Sequence, residues 1–73
     1  MPSEIDLELA SLTQEIAARH RAVEDKQILI QALERDGHDV SEQEAALRRE
    51  RSDIALQVTR QFQLIQQVAE QSE

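Results

Sequence analysis

The chain has 73 residues, 15 acidic and 8 basic side chains, and a net charge of -7, which allows one small acidic domain. It contains no cysteine, so disulfide bonds and cysteine-bound zinc are excluded, and its negative charge argues against binding to nucleic acid. Its apolar runs reach only three residues, as at 28–30, so no segment is expected to span a membrane.

The first half of the chain is predicted to form one helix over residues 4–36, because it is rich in strong helix-forming residues. Ser3 is the expected N-cap, and the acidic side chains of the first turns suit the positive end of the helix dipole. Apolar residues then recur at the intervals of three, four and seven that are typical of a heptad seam. The seam contains Ile5, Leu9, Leu12, Ile16, Val23, Ile30 and Leu33.

The middle of the chain carries the signals for the end of one helix and the start of another. Gly37 is the one glycine of the chain, and it is expected to end the first helix in a left-handed conformation. Ser41 and Glu44 are spaced as a capping box for the second helix. Asp39 and Glu42 form an alternative pair for the same role.

The second half is predicted to form a helix over residues 42–70. Its apolar residues are Leu47, Ile54, Ala55, Val58, Phe62, Ile65, Val68 and Ala69. A connection of about four residues between two long helices forces them to run antiparallel. The expected fold is therefore all-α, with residues 1–73 forming a single domain, a long antiparallel helical hairpin.

One alternative fold uses the same residues differently. The heptad spacing does not slip at Gly37, because Leu33 and Val40 are seven residues apart. A single continuous helix in a parallel coiled coil would keep that register, since one glycine costs only about 1 kcal/mol inside a helix. Its seam would then hold Gly37, Glu44 and Arg51 at three successive core positions, which are poorly suited to an apolar core. The helix-stop and helix-start signals therefore favour the hairpin.

The turn between the predicted helices resembles a known sequence pattern. Leu33, Gly37, His38, Asp39 and Val40 match the pattern LxxxGHD[TV], which is found in a group of short uncharacterised bacterial proteins. The resemblance implies a turn between two charged helices, a helical hairpin and a bacterial source, and it implies no activity. Unlike those proteins, this chain has no second histidine after the turn.

The polar residues form no pattern that is typical of an enzyme or a metal centre. His20 and Glu24 lie four residues apart on one helical face, but the spacing of a carboxylate-bridged metal site is missing. His38 and Asp39 at the turn are expected to complement the helix dipole and to cap a helix. No phosphate-binding glycine loop or catalytic triad is indicated. We therefore expect no enzyme, no metal or catalytic site, no cofactor and no small-molecule substrate.

Four polar residues interrupt the seam. They are Arg19, Lys26, Arg51 and Gln61. In a hairpin with a short turn, Lys26 is expected at the level of Arg51, and two bases cannot both be buried there. Their charges are then expected outside the core, or opposite acids of another chain. Arg48 and Arg49 join Arg51 in a basic cluster, which is expected to be a solvated face.

Two helices cannot enclose each other's apolar stripes, so part of each stripe is expected to stay in contact with water. Leu29, Leu56, Phe62 and Leu64 are expected in this exposed group. We therefore expect a non-enzymatic, coiled-coil-like module with a structural or scaffolding role, most simply a homodimer that forms a four-helix bundle. The residues expected to carry self-association are Leu9, Leu12, Ile16, Val23, Ile30, Leu33, Leu47, Ile54, Val58, Phe62, Ile65 and Val68.

The same stripe supports an alternative function from a different class. A small adaptor or regulator would dock its apolar face on a helix of another protein, as in helix-in-groove recognition. A stable homodimer at low concentration favours the structural module. A loosely folded monomer that becomes ordered when a partner is added favours the adaptor.

The start of the chain indicates where the protein is expected. The first basic residue is Arg19, and four acids precede it, which is the reverse of the basic start of a secretory signal peptide. We therefore expect the protein in the cytoplasm.

Overall fold

The computed structural model of the protein describes residues 3–71, and it contains two α-helices in that range. The helix α1 spans Glu4–Arg35 and the helix α2 spans Ser41–Gln71. They pack side by side in a hairpin of 57 × 18 × 14 Å, so the chain reverses direction between them. The predicted all-α hairpin is confirmed, with helix ends within one residue of the predicted ones. The alternative of one continuous helix is wrong.

The first turn of α1 is held by a capping box. The backbone amide of Asp6 donates to Oγ of Ser3 at 3.2 Å, and the amide of Ser3 donates to Oδ2 of Asp6 at 3.1 Å. These two bonds satisfy amides that have no partner inside the helix. Ser3 is therefore confirmed as the N-cap. Asp6 completes the capping box by accepting a hydrogen bond from the amide of Ser3, in addition to placing a negative charge at the start of the helix.

The turn ends α1 through a glycine-based motif. Gly37 has a φ of 87°, a left-handed conformation that a residue with a Cβ adopts at a cost. Its amide donates to the carbonyl of Glu34, and the amide of His38 donates to the carbonyl of Leu33, both at 3.0 Å. This pair of bonds is a Schellman motif, which satisfies the last carbonyls of the helix. The predicted role of Gly37 is confirmed.

The start of α2 differs from the prediction that Ser41 caps it. The carboxylate of Asp39 accepts hydrogen bonds from the amide of Ser41 at 3.0 Å and from its hydroxyl at 2.6 Å. The amide of Glu44 donates to the carbonyl of Val40 at 2.9 Å, and Ser41 already lies inside the helix. The capping box of Ser41 and Glu44 is wrong, and the capping carboxylate belongs to the alternative residue, Asp39.

The bonds from Ser41 also change the acidity of Asp39. Its hydroxyl, and then its backbone amide, stabilise the charged carboxylate and hold the pKa of Asp39 below its ordinary value of 3.8. The capping interaction is therefore strongest when this side chain is ionised.

The helices bury a narrow line of apolar side chains between them. The buried residues of the described chain are Ile16, Val23, Ile30, Val40, Leu47, Ile54 and Leu64. Leu12, Leu33 and Val58 pack against this line and are partly buried. In α1 the buried residues lie seven apart, because Arg19 and Lys26 occupy the other seam positions. Neither helix carries an apolar stretch that is long enough to cross a membrane.

Leu64 lies deeper than the sequence suggested. It was expected to stay partly exposed, but it is the one described residue with a relative exposure of 0%. The seam of α2 uses two positions of each heptad, and Leu47 and Ile54 occupy the first of them. Leu64 lies ten residues after Ile54 and occupies the second position, where the residues of the two preceding heptads, Glu50 and Gln57, are polar. The expectation for Leu64 is wrong because those polar neighbours hide the seam position in the sequence.

Candidate interaction surface

The two helices pack in a fixed register. Val23 and Ile54 line one groove between the helices, and Ile30 and Leu47 line the next one toward the turn. Residue numbers at one level therefore add up to about 77, as a short turn between antiparallel helices dictates.

The polar middle of the seam is satisfied within the chain. The ammonium group of Lys26 on α1 forms an ion pair with Glu50 on α2. Nη2 of Arg51 donates to Oε1 of Gln27 at 3.0 Å, so the two bases at this level turn to different partners. The two helices are thereby joined by polar bonds where their apolar seam is weakest.

The other two interruptions also have partners in the same chain. Nη2 of Arg19 lies 3.4 Å from Oε1 of Glu15, one turn earlier on α1. Nε2 of Gln61 donates to Oγ1 of Thr13 at 3.0 Å. The sequence left two possibilities for the bases of the seam, which were charges outside the core or acids of another chain opposite them. The charges lie outside the core, and Arg19 and Lys26 pair with acids of the same hairpin.

The seam between the helices has one long side of the hairpin on each of its two flanks. In an antiparallel pair of helices, residues that flank the seam on one helix share a side with residues at the same heptad position on the other. One side carries the ion pairs of Lys26 with Glu50 and of Arg60 with Glu8. We call it the Leu29 face, and its apolar residues are Ala22, Leu29 and Ala46.

The opposite side carries a continuous apolar ladder on α2. We call it the Phe62 face, and its ladder residues are Ala55, Val58, Phe62, Ile65 and Ala69. Their spacing is three, four, three and four residues, which is the spacing of a second heptad seam beside the first. Phe62 is 63% exposed and Ile65 is 47% exposed, so this second seam has no partner helix within the hairpin.

The structure divides the residues that were expected to carry self-association into two groups. The buried line between the helices holds Ile16, Val23, Ile30, Leu47 and Ile54, and partly buried positions hold Leu9, Leu12, Leu33, Val58 and Val68. Phe62 and Ile65 instead face solvent. Val40 and Leu64 were missing from the expected set and are buried. The signal that could have separated the groups is the clean three-four spacing around Phe62.

Charge follows the long axis of the hairpin in three zones. The open end, residues 3–18 and 59–71, has five acids and one base, a net charge of -4. The middle, residues 19–27 and 48–58, has four acids and six bases, a net charge of +2. The turn end, residues 28–47, has five acids and one base, again -4. The basic cluster at 48–51 therefore lies in the one positive zone of the described chain.

The remaining polar candidates do not converge on a site. His20 lines an open groove of about 410 Å³ together with Val23, Arg51 and Ile54. His38 is exposed at the turn, beside the capping carboxylate of Asp39. Within residues 3–71, no group of three or more His, Cys, Asp or Glu side chains is arranged to hold a metal ion. What stands out in the described chain is the exposed apolar ladder.

Comparisons of the chain with protein-family models, with curated proteins and with solved structures gave no match. The argument for function therefore rests on the geometry of the hairpin.

Proposed function

We propose that the protein is a non-enzymatic, self-associating α-helical module with a structural or scaffolding role. The observation that carries this proposal is the balance between buried and exposed apolar side chains. Seven apolar residues are buried in the described chain, whereas six large ones are exposed. The exposed ones are Leu7, Ile28, Leu29, Leu56, Phe62 and Ile65.

Burial of this extent supports little stability in one chain. A buried apolar side chain contributes about 1.5–3 kcal/mol, whereas ordering each residue costs about 1–2 kcal/mol of conformational entropy. Small domains of this size are usually reinforced by disulfides, metals or association. This chain has no cysteine, so association is the reinforcement that its composition favours. The antiparallel dimer, a four-helix bundle, is the simplest assembly in which each hairpin covers the other.

The sequence also predicts a cellular setting for the proposed module. A cytoplasmic location, a bacterial source and membership of the group with the LxxxGHD[TV] turn remain predictions. They agree with a small helical assembly, and none of them assigns a process.

The test is the oligomeric state over a wide range of concentration. We expect sedimentation equilibrium of the chain to give twice the monomer mass of 8.4 kDa at micromolar concentration. The thermal midpoint should rise over a hundredfold increase in concentration, because association stabilises the folded state by mass action. A chain that stays monomeric, folded and independent of concentration contradicts the proposal. A loosely folded monomer that gains helix with a partner protein supports the adaptor instead.

A further inference from the structure

We propose that a second copy of this chain docks on the Phe62 face, antiparallel and staggered, with the twofold axis passing close to Phe62. This inference rests on the proposed self-association. It adds which of the two long sides is the interface and how the copies are aligned along their length.

The apolar ladder has the symmetry that a twofold interface requires. In such an interface the same patch serves both copies, so residues on either side of the axis must match each other. Ala55 and Ala69 lie seven residues before and after Phe62, and Val58 and Ile65 lie four before and three after it. A second copy turned about this centre places the two Phe62 side chains at one level, brings Val58 close to Ile65 of the other copy, and pairs Ala55 with Ala69 at the two edges.

Charge excludes the two simple alignments. A parallel pair, and an antiparallel pair that overlaps over its full length, both place acidic ends on acidic ends and the positive middle on itself. A staggered antiparallel pair instead moves the outer part of each open end, a zone with a net charge of -4, to the level of the middle of the other copy, a zone with +2. The acidic turn ends then project away from the contact.

The size of the stagger agrees with the position of the ladder. The middle of the hairpin lies at about residue 57 of α2, so an axis at Phe62 shifts the partner by about 15 Å at 1.5 Å per residue. Asp6 of one copy then lies within about 3 Å, along the helix axis, of the level of Arg51 of the other. Arg51 flanks the ladder on this face, next to Ala55 in the same groove. The apolar symmetry and the charge pattern therefore select the same alignment.

The area required is present on this face. A stable pair of proteins buries about 800 Å² on each partner, which is about a seventh of the 5759 Å² surface of the hairpin. Half the length of one long side of the hairpin offers about a seventh of its surface. The ladder lies in the middle of this region, where a buried apolar patch contributes most.

The Leu29 face is the less suitable side. Its apolar patch is bordered by the ion pair of Lys26 with Glu50, and farther along by the pair of Arg60 with Glu8. Docking a copy there would desolvate charged groups, which offsets much of the gain from apolar contact. The polar bonds beside the ladder of the Phe62 face are instead those of Gln61 with Thr13 and of Arg51 with Gln27, which include one charged group between them.

The first experiment compares three single substitutions by sedimentation equilibrium. Phe62→Asp should raise the dissociation constant at least about a hundredfold, because each dimer carries the charge twice at its centre. Leu56→Asp is the matched control, since Leu56 lies on the same helix, is 70% exposed and faces away from both seams. Leu29→Asp tests the other face. Both of these variants should change the dissociation constant less than about threefold.

The second experiment measures the alignment in the folded parent dimer. The chain has no cysteine, so His38→Cys and Gln71→Cys each introduce one spin label per chain. With the axis at Phe62, the two labels at residue 38 are about 72 Å apart along the dimer and those at residue 71 about 27 Å apart. An antiparallel pair that overlaps over its full length gives about 57 Å between the labels at residue 38 and about 42 Å between those at residue 71. A parallel pair gives short distances for both pairs of labels.

The outcomes separate this inference from the proposed function. A parent protein that is monomeric at all concentrations contradicts both the proposed function and this inference. A parent dimer that Leu29→Asp dissociates while Phe62→Asp leaves it intact overturns the Phe62 face but keeps self-association. Label distances of full overlap or of a parallel pair overturn the stagger. If Phe62→Asp also loses its helical signal, the spin-label distances in the parent still decide the alignment.

Discussion

Lys26 and Glu50 form an ion pair that joins α1 to α2 at the level where the apolar seam is interrupted. Reversing one charge should therefore loosen the hairpin. We expect Lys26→Glu to lower the free energy of unfolding by about 1 kcal/mol, which is the upper range for exposed pairs. The double variant Lys26→Glu with Glu50→Lys should recover most of this loss, as measured by urea unfolding followed by circular dichroism.

The pair of Arg19 with Glu15 is the matched control, because it lies within α1 and joins nothing to α2. Arg19→Glu should cost no more than about 0.5 kcal/mol, as for other pairs one turn apart in a helix. A double-mutant cycle that gives no coupling between residues 26 and 50 would show that the cross-helix pair contributes nothing to stability.

The start of α2 gives a prediction about pH. Asp39 has a pKa below 3.8 in the folded protein, because Ser41 donates two hydrogen bonds to its carboxylate. The charged form therefore stabilises the fold at pH values above 3.8, and this contribution is lost as the pH falls through the folded pKa. Asp39→Asn should remove this part of the pH dependence. Urea midpoints of both proteins between about pH 2 and pH 6 measure the difference.

The same site separates the two candidate caps at neutral pH. Asp39→Ala should lower the urea midpoint, because the Ser41 amide loses its acceptor. Ser41→Ala should lower it less, since that amide keeps the carboxylate. A larger loss for Ser41→Ala than for Asp39→Ala contradicts the observed cap.

The hairpin could be predicted from the sequence because its signals are local and agree with one another. Gly37 reaches a left-handed φ without strain, and the heptad spacing of Ile16, Val23 and Ile30 survives in the structure as the buried line. The cap of α2 could not be predicted with the same certainty. Asp39 and Ser41 both satisfy the sequence rule, and the hydrogen bond from the amide of Ser41 to the carboxylate of Asp39 is seen only in the structure.

The interaction surface was harder to predict because α2 has apolar residues on both flanks of its seam. Phe62 and Leu64 lie two residues apart, so they point about 160° away from each other around the helix. Leu64 is buried and Phe62 is exposed, but in the sequence both belong to the same broad stripe of apolar residues. The polar residues Glu50 and Gln57 occupy the seam positions before Leu64 and conceal its phase. The register of the hairpin, rather than composition, assigns each residue to a side.

Leu64 should consequently matter more for stability than the exposed leucine near it. Leu64→Ala removes the most buried side chain of the described chain, and we expect a loss of about 2–5 kcal/mol. Leu56→Ala is the control, and its 70% exposure predicts a change within about 0.5 kcal/mol. Thermal and urea unfolding measure both. Equal effects of the two substitutions would contradict the register described for α2.

The glycine of the turn gives a prediction about the backbone. Gly37→Ala should destabilise the hairpin by about 1–2 kcal/mol, because an L-residue is strained in the left-handed region. Apart from Gly37 itself and its two neighbours in the chain, no atom of the described residues lies within 4 Å of a Cβ placed there, so the cost comes from the backbone and not from a collision. Gly37→Asn is the control, since asparagine tolerates this conformation better and should lose less. A gain in stability with alanine, as measured by urea midpoint, contradicts the observed turn.

Gln57 offers a substitution that should stabilise the fold. It occupies a seam position of α2 and is partly buried, and its Oε1 atom is fully buried without accepting a hydrogen bond from any described residue. A buried acceptor that has lost its bonds to water costs about 1–3 kcal/mol. Gln57→Leu removes that acceptor and adds apolar area beside the buried line, so we expect a gain of about 1–2 kcal/mol.

The control for this prediction is Gln63→Leu. Gln63 lies on the same helix and is exposed, so the same change should alter the free energy of unfolding by less than about 0.5 kcal/mol. Urea midpoints of the parent and both variants, measured at several protein concentrations, separate the stability of the fold from that of association. A loss of stability in Gln57→Leu, or an equal gain in both variants, would show that the amide of Gln57 is satisfied. A gain confined to Gln57→Leu would place its side chain in the seam, as the structure does.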